Sequence, residues 1–257
     1  MGRSVDASST VLRPLAQANR EPGERAIYWT VSLLHAIARP LTRLDWRHQE
    51  RLPQTGGVIL VANHISNVDP IALGQYIAFS GRWPRFLAKA SLFGVPVVGA
   101  VIRACGQIPV QRRSAAAKDA LAAAVVAVEQ GRAVVIYPEG TISGDPLLWP
   151  MRGHTGAARV ALQTSAPVVP IGQWGAQQIL YGNRLTVPRL LPRATFRLVT
   201  GEPVPLEDLR ALPVTAAVLA EATERIMAAI TALVAELRAE SPPAVRFDPR
   251  PTHEVSP

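Results

Sequence analysis

Apolar positions along the chain fall into two kinds of run. Short unbroken runs rich in β-branched residues occupy Val58–Ala62, 133–137 and 168–171. Runs of this length and composition predict strands buried on both faces. Residues 195–200 predict a further strand, and 85–88 and 107–110 two shorter ones. Longer stretches recur every three to four positions, the period of a helix with one buried face. The clearest is 114–130, where Leu121, Ala124, Val125 and Val128 share a face, Ser114 caps the start and Gly131 stops the end. Helices are also predicted from about Asp69 to Phe79, over 154–164, and over 214–239, where Leu219, Ile226, Ile230, Leu233 and Leu237 point inward. Residues 92–103 read as an apolar helix or hairpin interrupted by Gly94, Pro96 and Gly99.

Strands separated by helical stretches predict an α/β fold with a central sheet, mixed or parallel, covered by helices on both faces. Residues 1–25 are polar and predicted to be flexible. Residues 26–46 predict an amphipathic helix with Ile27, Val31, Leu34, Ala38 and Leu41 on one face, kinked or ended by Pro40. Tyr28 and Trp29 at its start and Trp46 just past its end suit either a membrane interface or ordinary packing on the domain. The main domain is expected over 47–240, and 241–257 reads as a disordered tail.

At 257 residues the chain is long enough for one large domain. Aromatics are 5% of the chain, so aliphatic side chains must fill most of its core. The formal net charge is +8, carried almost wholly by arginine because Lys89 and Lys118 are the only lysines. Such a surface favours anionic partners: lipid headgroups, phosphorylated substrates or nucleic acid. Nucleic acid is disfavoured, since no recognised binding motif is present and aromatics are not interleaved with the arginines as stacking platforms. The single cysteine, Cys105, excludes an internal disulfide and a C-x-x-C zinc site, and is expected to be a small buried apolar residue. The N-terminus lacks an apolar segment followed by a small-residue cleavage site. The longest uncharged stretches, 26–38 and 92–102, are shorter than the roughly 20 residues of a spanning helix.

Two loops carry the candidate chemistry, and each directly follows a predicted buried strand. The first is Asn63-His64-Ile65-Ser66-Asn67-Val68-Asp69, and the second is Tyr137-Pro138-Glu139-Gly140-Thr141. If their strands run parallel, both loops open into one crevice at the carboxyl ends of the sheet. An imidazole titrates near neutrality and can accept a proton there. A carboxylate on its other nitrogen would fix the tautomer and stabilise the charged ring. No serine or cysteine is matched to the pair, which points to a base acting on a substrate hydroxyl. The second loop adds a turn whose backbone N–H groups can form an anion-binding nest.

The order and content of these blocks resemble the glycerolipid acyltransferases. Asn63–Asp69 is similar to that family's N-H-x-x-x-x-D signature and Tyr137–Thr141 to its [FY]-P-E-G-T block. Gly106-Gln107-Ile108-Pro109-Val110-Gln111-Arg112 is similar to its G-x-I-P-V-x-R block, and Ala166–Pro170 to its apolar strand containing proline. The resemblance covers about residues 57–172. It implies a glycerol-3-phosphate acyltransferase-like fold, with His64 deprotonating the acceptor hydroxyl and Asp69 orienting His64. It further implies that Arg112, Glu139, Gly140 and Thr141 hold the acceptor and its phosphate, with Lys89 and Arg152 as further basic candidates. A guanidinium is apt there because its fork matches a phosphate. One departure stands out: where the family commonly has arginine after Pro-Glu-Gly-Thr, this chain has Ile142.

The implied activity is transfer of a fatty acyl group from acyl-CoA or an acyl carrier protein to lysophosphatidate, giving phosphatidate. The thioester would be a co-substrate, and no cofactor or metal is expected. The implied setting is peripheral or monotopic, on an anionic membrane surface at the cytoplasmic face of the plasma membrane. Residues 92–102 would line an acyl groove, dip into the bilayer, or pack in the core. The competing readings are the same chemistry on glycerol 3-phosphate or another lysolipid, an acyl thioesterase, and a basic lipid-binding domain without catalysis.

Overall fold

The unbroken apolar runs form the middle of a seven-stranded sheet. A computed structural model describes residues 12–23, 25–111, 117–182 and 187–249 of the chain. In chain order the strands are β1 (Thr42–Arg47), β2 (Val58–Ala62), β3 (Pro84–Lys89), β4 (Ile108–Val110), β5 (Ala133–Ile136), β6 (Val168–Trp174) and β7 (Ala194–Thr200). They lie in the order β1-β7-β6-β2-β5-β3-β4. Every neighbouring pair is parallel except β6 and β7, so the sheet is mixed, as the strand and helix pattern predicts. β2, β5 and β6 are central, which explains why their residues are apolar without alternation.

Alternate residues of these strands feed two separate cores. Ile59, Val61, Val134, Ile136 and Val168 face α5 (Ala117–Glu129), α6 (Gly156–Gln163) and α8 (Ala216–Arg238). Leu60, Ala62, Val135, Val169 and Ile171 face the opposite way, onto Leu73, Tyr76 and Ile77 of α3 (Asp69–Phe79). α3 is buried on almost every side because α2 (Arg25–Ala38) covers its outer face. Gly131 joins α5 to β5 at φ +82°, a left-handed turn that a side chain would strain. The helix predicted from Ser114 is described only from Ala117, and its cap lies outside the described residues. The remaining helices are α1 (Leu15–Ala18), α4 (Val98–Ala104) and the short α7 (Glu207–Arg210).

Four expectations change. Residues 26–46 are not one helix: α2 ends at Ala38, and Thr42–Arg47 form β1, parallel to β7 at the sheet edge. The sheet therefore begins before residue 47. Trp46 does not reach an interface; it is buried edge-on against Tyr76, with ring centroids 5.5 Å apart. Residues 12–23 are not a free segment. Leu15 packs with Ile27, Val31 and Trp83, and the Glu21 carboxylate accepts hydrogen bonds from Arg82 Nε (3.2 Å) and the Trp83 N–H (2.5 Å). Residues 241–249 are likewise docked, with the Phe247 carbonyl accepting from the Arg152 N–H at 2.9 Å and Arg246 Nη1 donating to Glu224 at 2.6 Å. Cys105 is buried, as its residue type suggests.

Residues 92–103 do not pack in the core. A 3₁₀ turn over Ala90–Gly94 leads into α4, and Leu92, Val95, Val97, Val98 and Val101 are all substantially exposed. Among the described residues no helix is long and apolar enough to cross a membrane.

Arg82 joins the N-terminal segment to the sheet. Its guanidinium is fully buried and also donates to the carbonyls of Pro53 (2.6 Å), Gly56 (2.8 Å) and Gly131 (2.7 Å). Removing it would leave buried acceptors and the Glu21 carboxylate unpaired, which typically costs about 3–5 kcal/mol. Arg82→Leu is therefore expected to lower the unfolding free energy in urea by about 3 kcal/mol or more, whereas Arg159→Leu on the same chain serves as an arginine control with little effect.

Candidate active site

β2 delivers the first reactive loop, and the chain must turn sharply there to enter α3. Asp69 occupies the first turn of α3 and is fully buried. Its Oδ2 accepts hydrogen bonds from the backbone N–H groups of Ile65 (2.5 Å) and Ser66 (2.8 Å) and contacts His64 Nδ1 at 2.9 Å. Two amide N–H groups thus already donate to this one oxygen at the start of α3. An oxygen that accepts faces Nδ1, so Nδ1 carries the hydrogen and donates it. Nε2 is then left with its lone pair and has no partner among the described residues. His64 retains 9% exposure against 0% for Asp69, so only an edge of the imidazole reaches the crevice.

β5 delivers the second loop beside the first, as expected from parallel strands. The Glu139 carboxylate is fully buried and accepts from the His64 N–H at 2.8 Å and the Met151 N–H at 3.0 Å. The Ser143 N–H donates to the His64 carbonyl at 2.7 Å. Both backbone polar groups of His64 are thus held by the loop that follows β5. The Glu139 carboxylate, which the resemblance gives to the acceptor, is here engaged by two backbone N–H groups and anchors the two loops to each other. Burial pushes its pKa up to about 8, and the hydrogen bonds from Met151 and His64 oppose that rise.

Gly140 turns the loop at φ +70°, and a Cβ there would lie 3.0 Å from the His154 ring. Thr141 is exposed, and Ile142 is buried. The Tyr137 ring lies flat on His64, with centroids 4.2 Å apart and planes 14° apart.

β6 closes the other side. Asn63 and Gln173 lock together: the Gln173 N–H donates to Asn63 Oδ1 (2.9 Å), Asn63 Nδ2 to the Gln173 carbonyl (3.0 Å), and Gln173 Nε2 to the Asn63 carbonyl (2.5 Å). The Ser66 hydroxyl donates to the Leu180 carbonyl at 2.7 Å. Sequence reasoning gave Tyr137, Asn63 and Gln173 no role. The available signal was Gln173 itself, the one side chain with hydrogen-bonding groups other than indole in the strand Val-Val-Pro-Ile-Gly-Gln-Trp.

The basic candidates separate. Lys89 is exposed at the carboxyl end of β3, on the same sheet edge as His64 and Tyr137, and its Cα pairs with that of Val110 at the end of β4. Arg112 lies outside the described residues. Arg152 is turned to the surface, where Nη1 contacts Asp248 Oδ2 at 3.0 Å.

An α/β sheet with a hydrogen-bonded histidine–aspartate pair at its carboxyl edge defines the class of site. The chain belongs to the acyltransferase family, whose model matches residues 43–174, from within β1 to the end of β6. It is 32% identical over 143 residues to a chloroplastic 1-acyl-sn-glycerol-3-phosphate acyltransferase, BAT2, of Brassica napus, covering 55% of this chain and 40% of that protein. It is 32% identical over 139 residues to the 1-acyl-sn-glycerol-3-phosphate acyltransferase of Borreliella burgdorferi, covering 52% of each. The chain thus spans about half the length, or less, of these curated relatives. The crystal structure of the 1-acyl-sn-glycerophosphate acyltransferase PlsC from Thermotoga maritima has the same fold, with a TM-score of 0.64 at 22% identity over 86% of this chain and 84% of that one.

Glu139 makes stability depend on pH with a definite sign. The ordinary carboxyl value is 4.5 and the folded one about 8, so the native state binds more protons between them. The resulting stability is full below 4.5 and is lost as pH rises through about 8. The melting temperature of Glu139→Gln is therefore expected to fall less steeply than that of the wild type between about pH 5 and 9; parallel curves would show that Glu139 does not titrate in this way.

Proposed function

We propose that the protein transfers a fatty acyl group from an acyl thioester, acyl-CoA or acyl carrier protein, to the free hydroxyl of lysophosphatidate, giving phosphatidate. The observation that carries this reading is the unpartnered Nε2 of His64, opposite an Nδ1 engaged by buried Asp69. The relatives' names supply the acceptor, and the chemistry follows from the pair. Nε2 accepts the hydroxyl proton as the acceptor oxygen bonds to the thioester carbonyl carbon. Collapse of the tetrahedral intermediate breaks the carbon–sulfur bond, and the imidazolium returns its proton to the departing thiolate. Ionised Asp69 stabilises the imidazolium in between. No enzyme nucleophile is needed, in agreement with the lack of a serine or cysteine hydrogen-bonded to His64 among the described residues.

Exposed Lys89 at the carboxyl edge of β3 is assigned to the acceptor phosphate, and the family resemblance adds Arg112 and the Gly140–Thr141 backbone. Buried Ile142 removes one charged contact that the family commonly offers, and favours as second reading the same chemistry on another lysolipid or glycerol 3-phosphate.

The setting proposed is an anionic membrane, approached peripherally or monotopically from the cytoplasmic side. Trp29, Leu33 and Ile37 are exposed at successive i+4 positions of α2, and α2 packs beside α4, whose Val97-preceded face exposes Val98 and Val101. An exposed apolar stripe on a chain of net charge +8 suits a surface of anionic headgroups over acyl chains.

The test is thiol release from acyl-CoA with lysophosphatidate in mixed micelles. Loss of a general base lowers turnover by about 10²–10⁴-fold, and His64→Ala is expected to fall in that range. Equal rates for wild type and variant would refute the mechanism, and release that ignores the acceptor would identify a thioesterase.

A further inference from the structure

We propose that Tyr137 is a positioning residue for His64, its ring face fixing the plane of the imidazole and stabilising the imidazolium formed in the reaction. This rests on the reading of His64 as the base and adds a third member to the His64–Asp69 pair.

The stack has its origin in the register of the sheet. β2, β5 and β3 are successive neighbours, and Leu60 and Phe86 are both partners of Val135. In a strand, residues two apart share a face, so Tyr137 continues the face of Val135 just beyond β5. The outcome is three rings in a row across three strands. Phe86 and Tyr137 have centroids 6.2 Å apart and planes 24° apart, and Tyr137 and His64 are closer and flatter still. A flat stack at 4.2 Å places the phenol face against the ring that becomes charged. Cations are attracted to such a face, so the contact is stronger to imidazolium than to imidazole. An interaction stronger in the charged form aids proton acceptance and not mere folding.

The phenol oxygen is buried as well as its ring stacked. Tyr137 Oη, Gln173 Oε1 and Asp69 Oδ1 are all buried side-chain oxygens without a hydrogen-bond partner. They share one neighbourhood, for Gln173 and the charge of Asp69 both act on the Tyr137 hydroxyl. Burial holds that phenol well above its ordinary value, so the ring stays neutral wherever His64 titrates. Gln173 is itself locked to Asn63, which precedes His64 in the chain. The other titratable groups around His64 are Asp69 from α3, Glu139 on its backbone N–H, and His154 against Gly140. None of these contacts the ring face that Tyr137 covers.

The experiment titrates His64 by the NMR shift of its Cε1 proton in wild type, Tyr137→Phe and Tyr137→Leu, alongside the pH profile of kcat/KM. Phenylalanine keeps the stack and is expected to leave the titration in place. Leucine removes it and is expected to lower the imidazole pKa by about half a unit and kcat by about threefold to tenfold, with KM for the acceptor unchanged. Titration and pH profile both unmoved in Tyr137→Leu would make Tyr137 a packing residue and overturn the proposal. The wild type alone gives a second check: a ring stacked at this distance shifts the His64 Cε1 proton upfield, and a shift at the free-histidine position would overturn the proposal even if Tyr137→Leu does not fold. The NMR measurements need no turnover. If His64→Ala retained full acyl transfer, the functional reading would fail while the imidazole titration still decided whether Tyr137 sets the charge state of His64.

Discussion

A single carboxylate oxygen, Asp69 Oδ2, collects three hydrogen-bonding atoms from one turn: His64 Nδ1, the Ile65 N–H and the Ser66 N–H. Everything distinctive about the site depends on that convergence. The two amides shape the turn between β2 and α3 and mark Oδ2 as an acceptor. An acceptor facing Nδ1 assigns the hydrogen to Nδ1 and leaves the lone pair on Nε2. Hydrogen bonds to a charged group each contribute about 1.5–3 kcal/mol, enough to offset much of the cost of burying the charge. A turn held by one oxygen also fixes the direction in which Nε2 points, the condition that the proposed proton transfer sets.

The second constraint is the sheet. β2 and β5 are buried on both faces and pair in parallel, so the loops after them start side by side. Glu139 and Ser143 then take the two backbone polar groups of His64, while Asn63 and Gln173 fasten the residue before it to β6. His64 is therefore fixed through its ring, its own backbone and its neighbour, by groups from α3, the loop after β5 and β6. The acidic residue of the Pro-Glu-Gly-Thr block takes part in this fastening. Exposed aliphatic residues of α2 and α4 lie outside this centre.

Much of this was legible in the sequence, and the misses have physical causes. β2 and β5 were visible because strands buried on both faces cannot alternate, and α3 because its helical stretch follows the loop that contains Asp69. β1 was hidden: Thr-Arg-Leu-Asp-Trp-Arg mixes charges into an edge strand, and its pairing with β7 is decided about 150 residues downstream. Residues 12–23 and 241–249 look like free ends by composition, yet Glu21 and Phe247 find partners that no local pattern encodes. Glu139 was legible as a carboxylate in a reactive loop, but its hydrogen bonds to the His64 and Met151 N–H groups were not, since spacing locates a carboxylate without saying which way it points. The stack of Tyr137 on His64 depends on the register of β2 against β5, strands adjacent in the sheet but far apart in the chain, which is a property of the folded sheet alone.

The central claim is that Asp69 holds His64 with its proton on Nδ1 and its lone pair on Nε2. The most direct measurement is the long-range ¹H–¹⁵N spectrum of histidine-labelled protein above the imidazole titration. His64 is expected to show a protonated Nδ1 and an unprotonated Nε2, with the preference lost in Asp69→Leu. A proton resident on Nε2 in the wild type would contradict it.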